Sequence, residues 1–185
     1  MLQGRVRAYE WGSLRAIPEL FGKEAAEGPV AEVWLGAHPD DPASVGRVHS
    51  IFDESQLYPS RVAPRAAGPS LDEWVAQDPD LILGESVVER YGARLPYLLK
   101  LIAPAQPLSL QVHPSIAQAE EGYAAEEAAG VPHRDPRRNY KDRNHKPELV
   151  YALSTFQALA GFRARRRIGE VIEALGTPLT DDLRI

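Results

Sequence analysis

Pro107-Leu108-Ser109-Leu110-Gln111-Val112-His113-Pro114 alternates strictly between apolar and polar residues. That period predicts a strand with one greasy and one polar face. Leu108, Leu110 and Val112 fall on one face, and Ser109, Gln111 and His113 on the other. Proline offers no amide hydrogen to a ladder, so Pro107 can open such a strand and Pro114 can end it. Polar side chains at i and i+2 stand about 6–7 Å apart along a strand, within reach of one shared ion. The pattern also fits a solvated face whose histidine is only hydrogen-bonded, and spacing alone does not choose between the two.

Around this stretch the composition favours short elements. The 185 residues include 16 prolines and 14 glycines, which suit many short strands joined by turns better than long helices. The length fits one well-cored domain or part of a larger one. With 21 basic and 26 acidic residues and a formal charge of -5, a nucleic-acid surface is not expected. The absence of cysteine excludes a disulfide framework and a thiolate metal site. The first residues show no charged-then-apolar targeting pattern, and no apolar run approaches membrane-spanning length. A soluble, cytoplasmic protein without a membrane partner is the expectation.

Upstream, residues 5–12 read as a short strand ending in a glycine turn, and Ser13 as the cap of a short helix closed by Gly22. In Val30–Pro39, Val33 and Leu35 alternate with Glu32 and Trp34, so Glu32 and Trp34 share a face. A carboxylate beside an indole suits a sugar site and suits an ordinary half-buried strand equally. Residues 53–69 read as a surface loop. Ser70 and Glu73 form a capping box for a helix that should bury Leu71, Trp74 and Val75 and end near Asp78-Pro79. Residues 94–103 are largely apolar with Lys100 inside, which either snorkels outward or offers its ammonium to an anion in a cleft.

Downstream, Ser115 and Gln118 make a second capping box for a helix to Ala129, stopped by Gly130. The segment after Pro147 reads as a strand, with Lys146, Glu148 and Val150 on one face. Ile168, Val171, Ile172 and Leu175 recur at helical spacing over Arg165 to Leu175, before the stop signals Gly176 and Pro178.

Gln111, His113 and Glu148 together offer an amide oxygen, an imidazole nitrogen and a carboxylate. That set suits zinc and leaves a coordination position to spare. Such a Lewis acid can polarise a carbonyl and a neighbouring hydroxyl and so stabilise an enediol. His38, His49, His133 and His145 are the remaining histidines, and none sits in a strand beside a matching polar neighbour.

Several motifs resemble the type I phosphomannose isomerases, zinc enzymes of the cupin superfamily. They are Tyr9-Glu10-Trp11-Gly12, Ala31 to Pro39, Pro107 to Pro114, Tyr140 to Glu148 with its Asn144-His145-Lys146-Pro147-Glu148 core, and Phe156 to Arg163. They occur in family order through nearly the whole chain. The resemblance implies a mainly β fold with peripheral helices, a cupin-like jelly-roll. It implies interconversion of mannose 6-phosphate and fructose 6-phosphate through a cis-enediol, in mannose metabolism and GDP-mannose supply. By the same resemblance Gln111, His113 and Glu148 are zinc ligands and Lys146 is the catalytic residue at the reacting end of the sugar. Lys100 and Ser109 hold the phosphate, and Trp11 and Glu32 line the cleft. The family's fourth ligand, a histidine, and its essential arginine have no counterpart here. Residues 1–185 are therefore expected to be the N-terminal part of an incomplete catalytic domain, monomeric at full length and inactive alone. A non-catalytic cupin-type sugar- or metal-binding fragment, or a cupin oxygenase or epimerase, are the competing readings.

Overall fold

The computed structural model describes residues 1–46, 50–64, 67–108, 110–178 and Thr180. They form two compact units, Met1–Gln111 and Val112–Ile185.

The first unit is organised by one strand, β3 (Glu32–Leu35), counted after β1 (Leu2–Gln3) and β2 (Arg5–Arg7). Strand β3 pairs antiparallel with β2 on one edge and with β5 (Leu99–Ile102) on the other. A second, two-stranded sheet joins β1 to β4 (Ser44–Val45). Register then sorts the side chains of the three-stranded sheet. Val6, Val33 and Leu101 lie opposite one another and pack into the apolar cluster of Ile17, Val30, Phe52, Leu57, Tyr58 and Ala103. Because side chains alternate along a strand, the other face collects Arg7 opposite Glu32, and Arg5 and Lys100 opposite Trp34.

Short helices surround this sheet. In α1 (Ala16–Leu20), Ser13 Oγ accepts from the amides of Arg15 and Ala16, both at 3.1 Å. A 3-10 turn, Glu54–Gln56, precedes α2 (Leu71–Gln77), α3 (Pro79–Leu83) and α4 (Glu85–Tyr91). The capping box at Ser70 and Glu73 is present, and Leu71 and Val75 are buried as expected. Trp74 is not: it remains 37% exposed. Gly12 has a steric reason, since a Cβ there would meet the Ala31 amide nitrogen at 2.5 Å. Its lack of a side chain lets the backbone after Trp11 lie directly against β3's leading residue.

In the second unit, α5 (Ile116–Ala128) starts at the Ser115–Gln118 capping box and ends before Gly130, whose φ is 68°. The loop that follows is tied back to it. The Glu126 carboxylate accepts from the amides of Asn139 and Tyr140 at 2.9 and 2.8 Å. Arg138 is buried, donating to Val131 O and Tyr140 O while its guanidinium lies 4.8 Å from the Tyr123 ring centre. The last described helix, α6 (Arg165–Leu175), ends at Gly176 in the left-handed conformation, as its stop signals imply.

The mainly β, jelly-roll expectation is overturned. Helix accounts for 31% of the described residues and strand for 13%, and the sheets are open. The two strands expected from alternation and composition are also absent: the described parts of 107–114, and 148–153, have no ladder partner. Alternation creates two faces, but a strand exists only when another strand takes up its amides and carbonyls. Leu110 and Leu149 are accordingly 91% and 92% exposed. Residues 53–69 also depart from the surface-loop reading, because Leu57 and Tyr58 there enter the core beside Phe52.

Two outcomes follow from this packing. Phe52, fully buried and edge-on to Phe21 at 5.5 Å, should be costly to remove: Phe52→Ala is expected to lose about 3–5 kcal/mol by urea denaturation. Trp74→Ala should lose about 1 kcal/mol or less, and an equal loss in both would contradict this core. The amide of Asn139 foremost, helped by that of Tyr140 and by Arg138 nearby, holds the Glu126 carboxyl below its ordinary value of 4.5 and outweighs the opposing effect of burial. The unfolded chain then binds this proton more readily than the folded one. The stabilisation is complete above about pH 4.5 and disappears as the pH falls through the lower folded-state value. Hydrogen exchange at Asn139 and Tyr140 should therefore quicken in Glu126→Gln at about pH 6, and the difference from the parent should shrink as the pH falls below the ordinary carboxylate range.

Candidate functional site

In the first unit, the sheet face turned away from the apolar cluster gathers chemistry around Trp34. Its indole Nε1–H donates to Glu32 Oε2 at 2.5 Å. Two residues apart on one strand, they share a face, and this hydrogen bond links them directly. Glu32 is only 7% exposed, so its carboxylate has given up most of its water. A buried carboxylate needs donors, and Glu32 retains acceptor capacity beyond the indole. Lys100, the ladder partner of Trp34, places Nζ 5.1 Å from the centre of the indole ring. No acidic side chain among the described residues comes within ion-pairing distance of this half-buried ammonium. The His38 ring lies 4.9 Å from that of Trp34, tilted by 60°.

Trp11 belongs to the same unit. It stacks on Tyr9 with ring centres 5.5 Å apart, and its carbonyl accepts from Ala105 N at 2.8 Å. That bond fixes the Trp11 backbone to the chain just after β5. Gln111, exposed and with its polar group engaged, is the last residue of this unit. Ser109 lies outside the described residues.

The second unit brings together His113 and Glu148, which are 35 positions apart. His113 Nε2 stands 3.5 Å from Glu148 Oε2. The other ring nitrogen, Nδ1, meets the backbone carbonyl of Lys146. A carbonyl can only accept, so Nδ1 carries the hydrogen and the neutral ring turns its Nε2 lone pair toward the carboxylate. Two lone-pair donors facing each other at this distance repel unless a cation lies between them. A proton on Nε2 is one solution, and a metal ion is the other. The separation suits the second, since ligands about 2.0–2.2 Å from a tetrahedral zinc stand about 3.3–3.5 Å apart. The Nδ1–H to carbonyl bond is also the usual device that orients a metal-binding imidazole. Among the described residues no group of three or more His, Cys, Asp or Glu side chains is placed to hold a metal ion.

Lys146 does not point its charge at Glu148. Its Nζ lies 3.6 Å from Asp142 Oδ2, one helical turn back in sequence although no helix is present. The alternation that placed Lys146, Glu148 and Val150 on one strand face is thus corrected, because 144–153 is not a strand. Sequence reasoning missed Asp142 and the Arg7–Asp41 pair, whose Nη1 to Oδ2 distance is 2.7 Å. Arg5-Val6-Arg7 did carry a signal, two cations on one strand face, but their shared acid lies 34 residues beyond Arg7.

Comparison with known proteins places these residues in context. The sequence profile described as phosphomannose isomerase type I, catalytic domain, matches residues 1–165. Mannose-6-phosphate isomerase of Escherichia coli is 43% identical over 171 residues, covering 91% of this chain and 39% of that protein. Mannose-6-phosphate isomerase 2 of Arabidopsis thaliana is 35% identical over 179 residues, 90% of this chain and 35% of that protein. The solved mannose 6-phosphate isomerase from Salmonella typhimurium, bound to substrate (f6p) and zinc, superposes with a TM-score of 0.62 at 38% identity. That superposition covers 78% of this chain and 32% of the other. The chain thus spans about two fifths, 39%, of the length of the Escherichia coli relative. Among the described residues no helix is long and apolar enough to cross a membrane. With its profile match running from Met1 through Arg165, the chain belongs to the type I phosphomannose isomerase family.

Proposed function

We propose that this chain carries part of a zinc-dependent aldose–ketose isomerase site that interconverts mannose 6-phosphate and fructose 6-phosphate. The observation that carries the reading is the His113–Glu148 pair, oriented by the Lys146 carbonyl and spaced as zinc ligands are. By its amide oxygen and by family likeness, Gln111 is the third ligand of the chain. Zinc, when bound, polarises the sugar oxygens at C1 and C2. Lys146, its ammonium steadied by Asp142, takes the reacting end of the sugar, where a proton must move between two carbons. Glu32 and Trp11 hold sugar hydroxyls and ring faces. Lys100, whose charge no carboxylate among the described residues neutralises, takes the phosphate together with Ser109. Residues 1–185 form the N-terminal part of the catalytic domain of an enzyme that acts in the cytoplasm as a monomer, with no nucleic-acid partner.

The direct experiment is a coupled assay of mannose 6-phosphate conversion with zinc present. It is run on this chain and on a chimera in which the chain replaces the matching segment of the Escherichia coli relative. Loss of isomerisation in the chimera, with its fold intact, would overturn the reading.

The metal assignment has its own readout. His113→Ala and Glu148→Gln should each weaken zinc binding at least about tenfold in competition with a chelating dye. Unchanged zinc affinity in both variants would return the pair to a simple protonated ion pair. For the phosphate, Lys100→Met in the chimera should raise KM for the phosphorylated sugar by more than about tenfold, from losing about 1.5–3 kcal/mol of charged hydrogen bonding. An unchanged KM would make Lys100 a structural partner of Trp34 only.

A further inference from the structure

Arg7 sits at a junction that the proposed site does not use. Its guanidinium carbon lies 4.7 Å from the centre of the Trp34 ring and 5.5 Å from that of Tyr9. Nη1 donates to Asp41 Oδ2 at 2.7 Å, while Nε and Nη2 each donate to Tyr9 Oη at 3.3 Å. Tyr9 in turn stacks on Trp11. One side chain therefore joins the Trp34 indole to the Tyr9–Trp11 stack. Only arginine has the geometry for this, because its planar group can stack and fork hydrogen bonds at once. Burial works against the Arg7 charge, but the bonds to Tyr9 and Asp41 outweigh it and hold its pKa above the ordinary value.

Trp34 has two jobs on one ring. Its Nε1–H is committed to Glu32, and its π system carries the Lys100 ammonium. A rotation of the ring would break both contacts together. The guanidinium packed on the indole opposes that rotation. A second cation near Lys100 would also repel it, unless its charge were balanced. Asp41 balances it, reaching Arg7 at 2.7 Å and Arg5 Nε at 3.5 Å. Arg5 Nε is anchored further by Pro42 O at 3.1 Å.

We infer that Arg7, clamped by Asp41, is a positioning residue for sugar-phosphate binding: it fixes the Trp34 indole, which sets Lys100 and Glu32 at their spacing before ligand arrives. The inference rests on the reading of Lys100 and Glu32 as substrate-binding groups. Arg7 itself touches no substrate in this account.

The test uses the chimera in which this chain replaces the matching segment of the Escherichia coli relative, with fructose 6-phosphate as the probe and fructose as control. Affinity is measured by calorimetry, and the Trp34 indole N–H is followed by NMR. Arg7→Ala and Asp41→Asn are each expected to weaken fructose 6-phosphate binding about tenfold. In both, the Trp34 N–H resonance should move and exchange faster with water. Arg7→Lys keeps the charge and loses the stack, so it should recover less than half of the lost affinity on a logarithmic scale. Full recovery in Arg7→Lys would show that bulk charge attracts the phosphate, and would overturn the inference. So would an unmoved Trp34 N–H with affinity within twofold in both Arg7→Ala and Asp41→Asn. Lys100→Met separates the two layers: if it weakens binding while Arg7→Ala and Asp41→Asn do not, only the positioning role fails. If the parent chimera does not bind fructose 6-phosphate, or if Lys100→Met leaves binding unchanged, both readings fall. Should Arg7→Ala not fold, Asp41→Asn and Arg7→Lys carry the same test.

Discussion

The ladder that joins β3 to β2 on one edge and to β5 on the other is the constraint from which the first unit is built. Pairing on both edges fixes the register, and register fixes which residues meet. Val33 is driven into the apolar cluster between Val6 and Leu101, so its neighbours Glu32 and Trp34 must project from the opposite face. A slip of one residue would bury the carboxylate in the apolar cluster and expose the valine. The burial of Val33 is thus what holds Glu32, Trp34 and Lys100 together on one surface. Core and candidate site are the two faces of a single strand.

This dependence explains which parts of the chain were legible beforehand. Helices close their hydrogen bonds within a few residues, so local signals are nearly sufficient. Ser70 with Glu73, Ser115 with Gln118, and Gly176 after Leu175 mark helix ends that the structure contains. Strands close theirs across the chain. The alternation at 32–35 succeeded because β2 and β5 are there to receive it, while the described part of the equally regular 107–114 has no ladder and is not a strand. The jelly-roll expectation came from the family resemblance, and two strands it would have used are of the second kind. The core role of Leu57 and Tyr58 was hidden for a different reason, since they enter it from a 3-10 turn and its flank, where no period repeats.

The candidate site shows the same division. Glu32 and Trp34 were paired by period alone, and their 2.5 Å hydrogen bond is the direct consequence. His113 and Glu148 were brought together by donor chemistry and family likeness. The strand geometry invoked for them is absent, yet they lie 3.5 Å apart. What aligns the imidazole is a backbone carbonyl, that of Lys146, and no residue identity announces a carbonyl's direction. Asp41 was illegible for a related reason. It sits in a turn past β3, with nothing in its immediate sequence to mark the two arginines of β2 as its partners.

The electrostatics of the sheet face follow from how each cation is held. Arg5, Arg7 and Lys100 bring three positive charges, and Asp41 and Glu32 bring two negative ones, which leaves one in excess. The distribution matters more than the sum. Both arginines are held by one shared carboxylate, Asp41, which offsets part of their charge locally. Lys100 rests on an indole instead. A salt bridge would hold an ammonium more firmly but would have to be broken, and its carboxylate displaced, before a phosphate could take its place. A cation–π contact, worth about 0.5–2 kcal/mol, holds the ammonium without cancelling its charge. The indole also leaves the N–H bonds of the ammonium free of acceptors of its own, so all can turn toward an incoming oxygen. Steadying the lysine by a ring, while the two arginines share Asp41 and Glu32 brings the second negative charge, keeps the one charge in excess on an ammonium that no salt bridge holds among the described residues.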